Sequence, residues 1–177
     1  MLRRSLARQS SAQNVTTQTK WPTFAPSWKV EPMPEFVLND TPAPRAYDKL
    51  STFAKAYVEA VFFTNGDTGD DNESRLNDLG VERLTREAIR DIASDCDSFL
   101  GFIMPDGCFV RQWLDRLAES HGYSEEQAGH DFWFSRQGHG VGYWDRGLGD
   151  AGDALHKAAK TFSEAYCEVY RGWIYHR

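Results

Sequence analysis

The densest chemistry in this chain lies between His130 and Asp150, in the run HDFWFSRQGHGVGYWDRGLGD. Its histidines, aspartates and arginines are suited to proton transfer and anion binding. Phe132, Trp133, Phe134, Tyr143 and Trp144 offer contact area, and the glycines permit close backbone approach. Asp131 and Arg146, with His130 alongside, have the make-up of a general acid–base group with an anion clamp. The plainer role for the same residues is an ion pair with a capping histidine. Ser135 lacks a GxSxG context, so nothing marks it as a nucleophile. GHGVG has the composition of a phosphate cradle but not a cradle's place between a strand and a helix.

The elements that position these residues decide among such roles. Residues 131–137 and 140–146 flank Gly138-His139, and glycine at the first loop position suits a type II′ hairpin turn. That register pairs Trp133 with Trp144, Phe134 with Tyr143, and Asp131 with Arg146. His130, His139, Asp131 and Asp145 are all metal-ligand types. The hairpin sets the two histidines roughly 20 Å apart, too far to share an ion. No metal and no cofactor is therefore expected. Strand alternation places Phe132, Phe134 and Tyr143 on one face, and Trp133 and Trp144 on the other. One face must pack on helices. The other is either an aromatic contact surface beside Arg136 and Arg146 or is covered by another part of the chain. The candidate binding residues are thus His130, Asp131, Trp133, Arg136, His139, Tyr143, Trp144, Asp145 and Arg146.

Residues 1–20 read as a disordered basic tail. Residues 21–44 hold six of the seven prolines, interleaved with Trp21, Phe24, Trp28 and Phe36, and read as an extended strap. Residues 45–177 form one domain. Apolar residues at three- and four-residue steps predict a helix over 45–63, from Leu50 to Phe62. The loop NGDTGDDNES lacks the acid spacing of a calcium site. Thr85 is placed to cap a second helix whose apolar stripe includes Cys96, and a third spans about 109–120 with Gly122 as its stop. Ser124-Glu125-Glu126-Gln127 is a capping-box sequence, predicting a short fourth helix that ends near Gly129. Asp150 is expected to cap a last helix over 151–165. A terminal hairpin, 167–170 and 173–176, turns at Arg171-Gly172. Together these give an α+β fold, with three to four helices on a small antiparallel sheet made of two hairpins joined by a helix.

Composition bounds the partners. The chain has 177 residues, of which 41% are apolar, enough for one core. A net charge of −6 argues against simple wrapping of nucleic acid, although residues 1–30 carry five Lys or Arg and no acid. Ten Asp or Glu against four Arg lie within 65–97. Three widely spaced cysteines without a CxxC pair fit reduced thiols in a cytoplasmic setting. No apolar run is long enough to span a bilayer.

The run GHDFWFSRQGHGVGYWDRGLGDAGDALHKAAK resembles a signature of small proteins encoded by bacteriophages and mobile plasmids. The resemblance covers about residues 46–177, with an AYVEA helix, an acidic DD-containing loop, and the terminal helix and hairpin. It implies an accessory protein acting in the cytoplasm of a bacterial host, of a kind that inhibits or modulates host machinery, including defence systems. The leading expectation is therefore a non-enzymatic protein that binds a host or element macromolecule, with a protein as the expected partner. A small enzyme acting on a phosphorylated or nucleotide-like ligand through residues 130–146 is the alternative. Single-stranded nucleic-acid binding through stacked aromatics and the basic tail is a third.

Overall fold

The computed structural model describes residues 45–64 and 76–177. The predicted tail, the strap and the acidic loop at 65–74 lie outside these residues. Helix α1 (Arg45–Asp48) is a single turn, and α2 (Thr52–Thr64) follows after a break. The break was not expected from the continuous apolar stripe. Ser51 causes it, because its Oγ accepts from Ala54 N (3.2 Å) and starts a new helix. A single turn, α3 (Leu76–Leu79), and a 3-10 turn (Val81–Arg83) lead into α4 (Arg86–Leu100). Thr85 caps α4 as expected, its Oγ1 accepting from Ala88 N at 3.1 Å. α5 (Val110–His121) ends at left-handed Gly122, also as expected.

The principal correction concerns residues 125–146. No hairpin forms there: Glu125–Gln137 is one helix, α6, and Tyr143–Asp145 is a 3-10 turn. The capping box is present, with Gln127 N bonded to Ser124 Oγ (3.1 Å) and Ser124 N to Gln127 Oε1 (3.2 Å). Gly129, however, does not stop the helix. It lies where α6 crosses α2, and a Cβ at this position would overlap the Phe53 carbonyl and sit 2.9 Å from Ala56 Cβ. The stop is Gly138, in the left-handed region with φ 73°, so the expected turn residue is instead a helix terminator. The strand reading failed because Ala128–Arg136 is buried on every side. A run surrounded by protein has no polar face, and its pattern does not distinguish helix from strand.

α6 and α2 form the centre of the molecule. Phe132 stacks on Phe99 at 4.1 Å between ring centroids, and Phe53, Tyr57, Tyr143 and Phe162 close around the pair. α7 (Asp150–Ala159) begins at Asp150 and is shorter than expected; Gly149, rather than Asp150, is its N-cap residue. The chain then forms the single predicted terminal hairpin, β1 (Cys167–Tyr170) and β2 (Trp173–His176), in the register Cys167↔His176 to Tyr170↔Trp173. The fold is α+β, with a sheet of two strands instead of two hairpins. Thr85 N donates to Ile174 O at 3.0 Å and ties the start of α4 to β2. Among the described residues no helix is long and apolar enough to cross a membrane.

Candidate functional site

The structure distributes the predicted site residues over α6 and the loop after it, and uses most of them internally. Asp131 is 0% exposed. Its carboxylate accepts from Arg146 Nη2 (2.7 Å), from Arg146 Nε (2.9 and 3.0 Å) and from Tyr123 OH (2.7 Å). The expected Asp131–Arg146 pair is therefore present, but it joins a helix to a loop rather than two strands. Burial raises the Asp131 carboxyl above the usual range, even with Arg146 and Tyr123 holding the charged form. Burial also works against the Arg146 charge, and the bonds and charge of Asp131 more than offset it. Asp145 lies 3.8 Å from Arg146 Nε and accepts from Gly142 N at 2.9 Å, closing the loop on itself.

Arg136 is buried and serves a second network. Its Nη1 donates to Asp95 Oδ2 (2.7 Å) and Tyr57 OH (2.9 Å), and its Nε donates to Ser163 O (2.6 Å). Tyr57 OH in turn meets His176 Nε2 at 3.1 Å. α2, α4, α6 and β2 are locked together by this one guanidinium. His130, also buried, has its Nε2 3.0 Å from Glu59 Oε2.

The predicted aromatic pairs do not form. Trp133 is buried, packs edge-on against Tyr57 (5.2 Å) and donates from Nε1 to Thr64 Oγ1 (2.8 Å). Trp144 is 48% exposed. Tyr143 is buried, with OH donating to Ala128 O (2.7 Å) and backbone N to Ser135 Oγ (3.1 Å). Phe134 meets the His139 ring at 5.8 Å instead. Ser135 Oγ also lies against Gly142, where a Cβ would overlap it. Ser135 is thus a buried structural hydroxyl. Among the described residues no group of three or more His, Cys, Asp or Glu is placed to hold a metal ion. Burial raises the Cys96 thiol strongly and pushes Cys167 up to about 12, so neither is an activated nucleophile.

Two surface features remain. A shallow groove of about 460 Å³ is lined by Phe102, Met104, Ala154, Ala158 and Lys157, with Asp150 and Asp153 at its side. The second was missed in the sequence. The pairs Tyr170↔Trp173 and Glu168↔Tyr175 point away from the core, while Val169↔Ile174 and Cys167↔His176 point inward. Reciprocal backbone bonds between Tyr166 and Arg177 (3.0 and 2.9 Å) extend the ladder by one more pair. Tyr166, Tyr170 and Trp173 are 61%, 53% and 45% exposed. Arg83 lies over the Trp173 ring (5.7 Å), Arg171 over Tyr170 (5.1 Å) and Arg177 over Tyr175 (5.6 Å). The alternation in CEVY and WIYH carries this signal, overshadowed in the sequence by the richer block upstream. No protein-family model matches the chain, and neither a curated protein nor a solved structure matches it.

Proposed function

We propose that this chain is a non-enzymatic accessory protein of a phage or plasmid, which works inside a bacterial cell by binding and modulating a macromolecule of the host or of the element. The origin rests on the resemblance of the GHDFW…GHG.G.WDRG block. The binding role rests on one observation: Asp131, the residue best suited to chemistry, is sealed from solvent by Arg146 and Tyr123. A general acid or base must reach its substrate directly or through one water, and an enclosed, fully bonded carboxylate does neither. Large aromatics meanwhile stand outside on the terminal hairpin and at Trp144. Exposed Trp and Tyr beside Arg have the composition of binding hot spots.

The test is capture from a bacterial host lysate on the immobilised full chain, with wild type beside a Trp144→Ala, Trp173→Ala double variant. A specific macromolecule retained by wild type and lost by the variant supports the reading. Identical retained material, or turnover of a phosphorylated metabolite by the purified chain, overturns it.

A further inference from the structure

We propose that the outward face of the β1–β2 hairpin binds single-stranded nucleic acid, with bases stacking on Tyr170, Trp173 and their neighbours and phosphates held by Arg83, Arg171 and Arg177. The inference rests on the binding reading above and names the class of partner for this one surface.

Three features of the face carry it. First, its composition is confined to rings and charges. The outward positions are Tyr166, Glu168, Tyr170, Trp173, Tyr175 and Arg177, with no aliphatic side chain among them. Rings and arginines also form the hot spots of protein interfaces, so it is the charge and the spacing of this face that select the partner. Such rings suit bases well, since every base has a π-face and stacking tolerates any sequence.

Second, the charge is of the right sign and in the right place. Each guanidinium sits over or beside a ring, and a cation–π contact uses none of the in-plane N–H donors. Among the described residues no acid lies within ion-pair distance of Arg83 or Arg171. Arg177 is shared with Glu168 at 3.8 Å, both being exposed. Arg83 arrives from the 3-10 turn before α4, held beside β2 by the Thr85–Ile174 bond, so the cations flank the rings from two directions.

Third, the spacing selects a single strand. Tyr170 and Trp173 lie opposite each other, about 5 Å apart across the ladder, and Trp173 and Tyr175 follow one another on β2 at about 7 Å. Bases in a duplex follow one another at about 3.4 Å per strand. Neighbouring bases can occupy neighbouring rings only if they come apart, which a paired helix resists and a single strand allows. An open antiparallel face bearing exposed rings is also the geometry by which sheet modules stack two or three bases. Here a two-stranded sheet provides the face, and among the described residues the helices pack on its other side. The net charge of −6 opposes distant attraction, so the contact depends on local stacking and on the three arginines.

The test is fluorescence anisotropy of a short labelled oligothymidine with the full chain at low salt, repeated as salt rises. Wild type is expected to bind, and affinity should fall with salt. Loss of one stacking ring should weaken binding roughly 5- to 150-fold. Trp173→Ala and Tyr170→Ala should do so, while Trp173→Phe and Tyr170→Phe, which keep a ring, retain most of the affinity. Trp173→Leu, which keeps apolar bulk without a ring, should behave like Trp173→Ala. Arg83→Ala should reduce the salt slope by about 0.7. Circular dichroism verifies that each variant is folded.

Binding that survives the Tyr170→Ala, Trp173→Ala double change overturns the inference, because the basic N-terminal segment or another surface is then responsible. Equal affinity for a duplex of the same length overturns it as well. If wild type ignores the oligonucleotide yet captures a protein from nuclease-treated lysate, the nucleic-acid inference falls and the binding function stands. If it binds neither, both fall.

Discussion

Arg146 grips the buried carboxylate of Asp131 through both Nε and Nη2, across fifteen residues of chain, at 2.7 to 3.0 Å. Tyr123 OH closes the remaining approach at 2.7 Å. The pair fastens the loop after α6 back onto the helix, and with it the 3-10 turn that carries Tyr143 into the core. Breaking a buried pair from one side leaves an uncompensated charge, at a cost of about 3–5 kcal/mol. Arg146→Met should therefore lower stability by about that amount in urea unfolding. The double change Asp131→Leu, Arg146→Met should cost less than the sum of the single changes, because neither charge is then stranded. Additive losses would show that the two residues act independently.

Gly129 makes a second prediction against the usual helix preference. In an exposed helix interior Gly→Ala stabilises by about 1 kcal/mol. Here the added methyl meets the Phe53 carbonyl and Ala56 on α2, so the two central helices must separate. Overpacking of this kind costs about 1–3 kcal/mol. Gly129→Ala should lower the thermal midpoint, and an unchanged or higher midpoint would show that α2 and α6 have room to spare.

What could be read from the sequence follows a physical line. Thr85, Ser124 and Gly122 were legible because a cap is a local event, in which a side chain or a left-handed glycine satisfies backbone groups a few residues away. The terminal hairpin was legible because one face is buried and one exposed, which imposes alternation. α6 beyond Gly129 was not, since burial on all sides erases the periodicity that separates a helix from a strand. The Asp131–Arg146 pair was foreseen through the wrong element, because complementary charges attract in either geometry. Tyr57, Asp95 and Tyr123, which complete the two buried networks, were not foreseen at all. Arg136 meets Asp95 across 41 residues and Tyr57 across 79, and no local pattern encodes such a meeting.

Acid should weaken the fold through His176. Burial first, and the Arg136 charge second, bring its value down from 6.5 to about 4. The folded chain keeps this ring neutral while the unfolded chain protonates it. The stabilisation is therefore complete above pH 6.5 and is lost as pH falls towards 4, with a span of about 3 kcal/mol. His156 is lowered by burial and by Lys160, and so acts in the same direction. Asp131, raised by burial, has the opposite sign. The urea midpoint should fall between pH 7 and pH 5, and His176→Asn should flatten that slope. A variant with the wild-type slope would assign the effect to other groups.

Trp133 and Trp144 provide the sharpest contrast between the hairpin expected from the sequence and the helix observed. As cross-strand partners they would share one face and respond alike to substitution. In the structure Trp133 is enclosed against Tyr57 with its indole N–H bonded to Thr64, whereas Trp144 stands on a 3-10 turn, half in solvent. Trp133→Ala removes a large core ring and orphans the Thr64 hydroxyl from this donor, so it should cost about 3–5 kcal/mol. Trp144→Ala removes a side chain without such packing and should change stability by no more than about 0.5 kcal/mol. Urea unfolding followed by circular dichroism measures both. Similar losses at the two positions would restore the paired ribbon, and a large loss at Trp144 alone would place that ring, instead of Trp133, in the core.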